Sequence, residues 1–286
     1  MTQTPSWLVR GLDGTGAVRL LAVEVAQVND AVARAHDLSH EASKLCAQSL
    51  VATALMSAYI KGEERIMLQV QGERPTVAFV GEIDAHGMLR GRLTPDTVAN
   101  IDTLSGLMLV IKSDEKKELY RGVSKIDCGI ENALRGHFET SNQVDVLLAM
   151  AIEQDASGLV TYAAGLLLER LPEHAQMATL SNSAFIERYN PIIQAPLRDT
   201  LTQMALGSFA DGKWDVLERR DLAYGCRCSR EKVAGMLIGL GAVELRAMRL
   251  EDGGASVNCD FCTKEYRYSA ADLAELETYA SGNTNA

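Results

Sequence analysis

The chain has 286 residues, 47% hydrophobic and 23% charged, with a net charge of −10. That suits one large globular domain or two smaller ones, and the acidic balance argues against general affinity for nucleic acid or anionic membrane, both of which want basic surface. No apolar run approaches the ~20 residues that span a bilayer, and the start, MTQTPSWLVRGLDG, lacks the basic-then-apolar leader pattern, so a reducing, cytoplasmic setting is expected.

In chain order, WLVRGL and VRLLAVEV flank the turn-rich DGTGA and predict a hairpin. Ser39 is a plausible N-cap for the helix that follows. Ala42, Leu45, Ala52, Leu55, Met56 and Tyr59 keep roughly helical spacing, and Gly62 can end it. RIMLQVQG, TVAFVGEID and GMLRGRL read as short strands, with a turn at DAHG, residues 84–87. GLMLVIKS and KELYRGVSKI predict another strand pair. From IENALRGHFETSNQVDVLLAMAIEQ to LVTYAAGLLLERL the pattern gives a helix, then strands, then a mostly apolar segment up to Leu171. Elements grouped this way predict an α+β fold rather than a regular βαβ repeat.

Pro172 marks a change. Residues 172–218 carry Pro172, Pro191 and Pro196 among short helical pieces such as NSAFIERYN and LRDTLTQMALGSFA. Prolines limit each helix, and short helices need tertiary packing for order. The segment reads as a helical linker that depends on its neighbours; an ordinary helical subdomain fits the same composition. The expected division is 1–171, a mixed sheet-and-helix domain, then the linker 172–218, then a small C-terminal domain and tail, 219–286.

Four of the six cysteines fall in that last part, Cys226 and Cys228 as C-x-C, then Cys259 and Cys262 as C-x-x-C. Four thiolates in two close pairs match the tetrahedral preference of Zn²⁺. Between them, Ser229 can cap a helix with Val233, Met236, Leu237 and Leu240 at i, i+3, i+4 and i+7, ended by Gly241. CDFC then reads as a knuckle between the strand-like ASVN and EYRYS. About fifty residues form a marginal core, so metal binding and folding are expected to be one event.

The C-x-C spacing puts two Cα atoms near the ~6.8 Å outer limit for a disulfide. A bond there is possible but strained, and strained disulfides are easily reversed. Zinc keeps the sulfurs as thiolates, the form that oxidants attack, and Arg227, Arg230, Lys232, Lys264 and Arg267 lie near enough in sequence to add positive potential. The spacing permits a redox switch; an inert zinc ribbon remains open.

Elsewhere, Cys46 lies in an apolar helix and reads as a buried small hydrophobe. Cys128 lies near a loop with no evident partner. GTG at 14–16 lacks the Lys-Ser/Thr of a phosphate loop and reads as the hairpin turn. His36, His40, His86, His137 and His174 form no metal motif, and no paired carboxylates stand out. No nucleotide site and no enzyme are expected.

CRCSREKV, followed by VNCDFCTKEYRY, strongly resembles the signature of the redox-regulated heat-shock chaperones, the thirty-three-kilodalton chaperonin family. HDLSHEASKLCAQSLVATALMSAYIKGEERIMLQVQG, GMLRGRL and AAGLLLERLPE resemble its N-terminal domain in the right order. The resemblance implies an ATP-independent holdase. Reduced, it holds one zinc ion on Cys226, Cys228, Cys259 and Cys262 and is inactive. Oxidation pairs Cys226 with Cys228 and Cys259 with Cys262, zinc leaves, the linker unfolds, and the protein dimerises and captures unfolding clients. The linker's apolar residues Phe185, Ile192, Ile193, Leu201, Met204, Leu206 and Phe209 are then the expected client surface, released when the C-terminal domain no longer packs on them.

The chain departs from the family pattern at four places. Asn142 replaces a glutamate, and Asp145 with Val146 replaces a proline–threonine pair. Ala164 stands where a second glycine is common, and Glu169 where glutamine is. Two competing functions remain. One is a nucleic-acid-binding zinc ribbon, suggested by Arg219, Arg220, Arg227 and Arg230; the other is a thiol oxidoreductase using Cys259 and Cys262.

Overall fold

The computed structural model describes residues 5–98, 103–114, 116–142, 144–172, 180–205 and 214–282. The chain divides into two compact units, Met1–Gly225 and Cys226–Ala286.

The first unit begins with the expected hairpin, β1 (Trp7–Asp13) and β2 (Val18–Glu24). Its turn is organised by Asp13, which accepts from the Val18 amide at 3.0 Å and the Thr15 hydroxyl at 2.6 Å. Two helices follow, α1 (Ala26–His36) and α2 (His40–Leu55). Ser39 caps α2 through the Ala42 amide, as its side-chain chemistry predicts. Helix α2 is buried almost all round, which its run of small and apolar residues permits. Helix α1 escaped the sequence reading because its alanines and polar residues leave only Val28 and Val32 as strong apolar markers.

Next come β3 (Arg65–Arg74), β4 (Thr76–Asp84), β5 (Met88–Thr94), β6 (Ser105–Ser113) and β7 (Glu118–Ile126). Helix α3 (Ile130–His137) leads to β8 (Val146–Gln154) and β9 (Val160–Arg170). Then α4 (Asn182–Gln194), α5 (Leu197–Ala205), β10 (Trp214–Asp221) and the short β11 (Ala223–Tyr224) complete the unit.

The strands form two sheets, ordered β10-β1-β2-β9-β8 and β11-β5-β4-β3-β6-β7. All pairings are antiparallel except β11 on β5. One face of the first sheet, with Leu21, Val23, Ala163 and Leu167, shares a core with α2 and the second sheet. Its other face, with Val18, Leu20, Ala22, Ala164, Leu166 and Leu168, is covered by Phe185, Tyr189, Leu197 and Leu201 of α4 and α5. Burial on both faces explains why VRLLAVEV and AAGLLLERL read as nearly continuous apolar runs rather than alternating ones. Gly165 lets β9 approach α2 closely, since a Cβ there would lie 2.6 Å from Val51 Cγ1.

The linker therefore differs from its expected form in two respects. Helix α4 continues through Pro191 instead of stopping before it; Ile192 and Ile193, on its last turn, pack against the sheet and offset the missing amide. The first sheet is a surface that buries α4 and α5. In addition β10, expected within the linker and its boundary, is an edge strand on β1, and the division between units falls after Gly225 rather than after residue 218.

Polar contacts anchor the linker. Asp145, one of the departures, pairs with Arg170, which also donates to the Leu180 carbonyl ahead of α4. The Tyr189 hydroxyl donates to Asp13 at 2.9 Å, with both residues buried. On α5, Arg198 pairs with Glu153. Replacing Tyr189 with phenylalanine removes one buried, charge-assisted bond of about 1–2 kcal/mol while Asp13 keeps its other donors. Amide exchange across α4 should then accelerate roughly tenfold or more; unchanged exchange would show that this bond does not hold the helix.

Two further departures are buried rather than on the surface. Ala164 packs beneath the linker. Glu169 is 4% exposed and accepts from Arg19 and from the Tyr59 hydroxyl at 3.1 Å, so a carboxylate here has a matching cation. The side chain of Asn142 lies outside the described residues.

The second unit holds α6 (Arg230–Gly239), α7 (Ala242–Ala247), the hairpin β12 (Gly254–Asn258) and β13 (Glu265–Ser269), and α8 (Ala270–Gly282). Its core comprises Val233, Leu237, Leu245, Tyr266, Tyr268 and Leu273. Of the four-residue stripe expected on α6, only Val233 and Leu237 are buried; Met236 and Leu240 are 68% and 52% exposed. Helix α8 supplies Leu273 and Glu277, which pairs with Arg246 and Arg249, so the unit extends beyond the fifty residues expected.

Candidate metal centre

Cys226 and Cys228 occupy the extended stretch before α6, whose Ser229 cap accepts from the Lys232 amide at 3.2 Å. Cys259 and Cys262 lie on the turn joining β12 to β13. There the Cys259 amide donates to Lys264 and the Thr263 amide donates back to Cys259, with Thr263 in the left-handed region at φ 60°. This tight turn is the knuckle expected from CDFC.

The structure brings all four expected sulfurs together, each within 4.8 Å of the others. Cys226 and Cys259 sulfurs are 3.5 Å apart, and those of Cys228 and Cys262 3.4 Å. A tetrahedral ion with ~2.3 Å metal–sulfur bonds needs sulfurs about 3.8 Å apart, so the set fits a thiophilic metal with a small adjustment. All four residues are half-buried.

Burial pushes the Cys226 thiol up, and it pushes the Cys262 thiol up to about 12. For Cys228 burial acts the same way but is outweighed by donated hydrogen bonds, Tyr266 foremost, which bring it down to about 7. The Tyr266 hydroxyl lies 3.1 Å from the Cys228 sulfur. Tyr266 is the functional residue that the cysteine pattern did not reveal. Its only sequence signal is the alternation of EYRYS, which turns Tyr266 and Tyr268 inward.

The basic residues expected to raise the local potential are mostly engaged elsewhere. Arg230 pairs with Asp272 and stacks on Tyr268, and Arg267 pairs with Glu265. Lys232 donates to the Arg227 carbonyl, and Lys264 stacks on Tyr266. Hydrogen bonding, not nearby cations, tunes Cys228. Cys46 is fully buried, which pushes its thiol up, and Cys128 is exposed; neither joins the cluster.

The expected client residues are placed as follows. Phe185 and Leu201 are buried against the first sheet, and Ile192, Ile193 and Met204 are partly buried around them. Leu206 and Phe209 lie outside the described residues.

Comparison with known proteins agrees with this architecture. The family model described as Hsp33 protein matches residues 6–269. A 33 kDa chaperonin of Citrifermentans bemidjiense is 30% identical, covering 94% of this chain and 96% of its own. One from Bacillus cereus is 29% identical, covering 94% and 98%. The crystal structure of a 33 kDa chaperonin from Thermotoga maritima superposes with a TM-score of 0.81 at 22% identity, over 98% of this chain and 100% of that one. Four convergent thiols following a two-sheet unit, together with a family match over nearly the whole chain, lead to one assignment: the chain belongs to the Hsp33 family of chaperones.

Proposed function

We propose that this protein is an ATP-independent holdase, held inactive while Cys226, Cys228, Cys259 and Cys262 bind one zinc ion. The convergence of these four thiols carries the reading. Bound zinc supplies a positive charge that keeps the sulfurs ionised and cross-links the two cysteine pairs.

Cys228, whose thiolate is favoured by the hydrogen bond from Tyr266, is the sulfur poised to react first. Peroxide takes two electrons from a pair of thiolates; the sulfurs join and, with two protons, the peroxide leaves as two waters. Each disulfide withdraws two ligands. The near-equal cross-pair distances do not select the pairing. The family resemblance implies Cys226 with Cys228 and Cys259 with Cys262, each pair close in sequence. Peptide mapping of the oxidised protein should find these two short-range bridges, and a dominant bridge between the pairs would refute the assignment.

The signal has a continuous path along the chain. Cys226 directly follows β11, whose hold on β5 is a two-residue bridge plus the Gly225 amide on Leu89. Loss of order from residue 226 frays β11, then the edge strand β10, then α5 and α4. Phe185, Ile192, Ile193, Leu201 and Met204 would then face water as a client surface, with Leu206 and Phe209 adding to it, and self-association into a dimer follows from the same exposure. A reducing, cytoplasmic compartment is where such a switch would rest in its off state.

The test is suppression of aggregation of a heat-unfolding client, with zinc release followed in parallel. Peroxide and mild heat should release one zinc per chain and turn suppression on, and a reductant should reverse both. Equal suppression by the reduced, zinc-loaded protein would refute the switch. The nucleic-acid ribbon gains no support, since Arg220 and Arg230, two of the four residues behind it, are ion-paired with Glu218 and Asp272.

A further inference from the structure

The face of the first sheet that receives the linker is apolar along β2, with Val18, Leu20 and Ala22, until the alternation ends on Glu24. Opposite it on β9 lie Tyr162 and Ala164. Glu24 is 3% exposed and Tyr162 is 8% exposed. One carboxyl oxygen of Glu24 accepts from the Ala26 amide at 2.9 Å. The other makes no hydrogen bond of ordinary geometry among the described residues, although the Ala163 amide adds a weaker contribution that favours the charged carboxyl, and the Tyr162 hydroxyl is likewise without a partner there. An ionised oxygen sealed in that way is costly, whereas a protonated carboxyl is neutral and can donate.

We propose that Glu24, sealed with Tyr162 beneath α5, makes docking of the linker onto the sheet depend on uptake of one proton. Among the described residues the charge acting on Glu24 is Arg198 of α5, and Tyr162 of β9, which interacts with Glu24, also faces Arg198 and Asp199 of α5 and Glu153 of β8. Arg198 is the one cation among them, and it is shared: its guanidinium lies 4.0 Å from the Tyr162 ring centroid and forms an ion pair with Glu153. It does not outweigh burial, which holds the Glu24 carboxyl up at about 7 against its ordinary 4.5.

With the docked value raised and the released value ordinary, the docked state binds more protons between pH 4.5 and 7. Docking is therefore strongest below that window and is lost as pH rises through 7, by about tenfold between pH 6 and pH 8. Among the described residues no other linker anchor opposes this. Asp13 lies below its usual range and Tyr189 above its own, so neither titrates between pH 6 and 8. His137, pushed down to about 4 by burial, has the opposite sign, favouring the folded state as pH rises. It packs with Tyr120 and Ser124 of β7 in the second sheet, so it acts on global stability rather than on the linker. Alkaline shift would loosen the linker and ready the chaperone; that consequence rests on the function proposed above, while the docking equilibrium does not.

The test uses the full-length, reduced, zinc-loaded protein. Amide exchange of residues 183–200 is measured at pH 6 and pH 8, with the intrinsic pH dependence of exchange divided out. Protection should fall about tenfold from pH 6 to pH 8 in the parent, and Glu24→Gln should remove the slope and keep the protection of the parent at pH 6. Equal protection of the parent at both pH values, or an unchanged slope in Glu24→Gln, overturns the proposal. Should the glutamine variant not fold, carbon NMR of the labelled Glu24 carboxyl in the parent decides: a midpoint near 7 supports the proposal and one near 4.5 refutes it. A separate client assay on the oxidised protein distinguishes the two ideas: failure there with the slope intact sinks the holdase reading and leaves the proton coupling standing.

Discussion

Cys228→Ser should abolish metal retention and unfold residues 226–282 while β3, β4 and α2 of the first unit stay folded. The second unit's core is six buried side chains, Val233, Leu237, Leu245, Tyr266, Tyr268 and Leu273, in a chain too short for a self-sufficient core. Structural zinc contributes an apparent ~10–16 kcal/mol at such sites, as much as the whole stability of a typical domain. Removing one of four thiolates also strands the Tyr266 hydroxyl, whose partner is the Cys228 sulfur. Amides of α6, β13 and α8 should exchange at nearly free-chain rates, and metal content should drop from one equivalent to almost none. A strong chelator should give the same result with the parent. Cys128→Ser, at an exposed thiol outside the cluster, should change neither measurement. If the second unit keeps its protection after metal removal, the metal does not fold it and the switch has no means of unfolding anything.

Phe185→Ala should release the linker without any oxidant. Phe185 is 1% exposed and stacks with Tyr189 at a centroid distance of 5.6 Å over Leu20, Ala164 and Leu166. Truncating a buried phenylalanine costs about 3–5 kcal/mol. Helices α4 and α5 have only 13 and 9 residues, so their order depends on this contact and a few polar anchors. Their amides should lose protection in the reduced, metal-loaded protein, with β3, β4 and α2 unaffected. Suppression of client aggregation should then no longer require peroxide, although the loss of one aromatic from the client surface lowers its ceiling. An opened linker that still needs oxidation to hold clients would separate linker release from the switch.

Both experiments probe places where sequence and structure contributed unequally. The hairpins, the buried helix α2 and the knuckle were legible because each depends on local rules. A capping serine, a glycine-containing turn and a period of two or 3.6 act over a few residues, whatever lies around them. The linker was legible only in part. Its prolines and broken apolar pattern announced dependence on another surface but did not say which one. Periodicity also overstated α6, where Met236 and Leu240 share the spacing of Val233 and Leu237 yet remain exposed. The small alanine-rich α1 and the strand β10, rich in charge because it lies at a sheet edge, gave weak signals for the same reason: little of their surface enters the core.

The cysteine spacing by itself picked out the four sulfurs that the fold brings together as a set able to hold a metal ion, and it carried the family resemblance with it. What only the tertiary structure decided is the environment of each polar group. Tyr266 reaches Cys228 from 38 residues away, Tyr189 reaches Asp13 from 176, and Arg198 reaches Glu153 from 45. Burial and hydrogen bonding depend on which surface covers a side chain, and that is settled when the whole chain packs, not by the residues beside it.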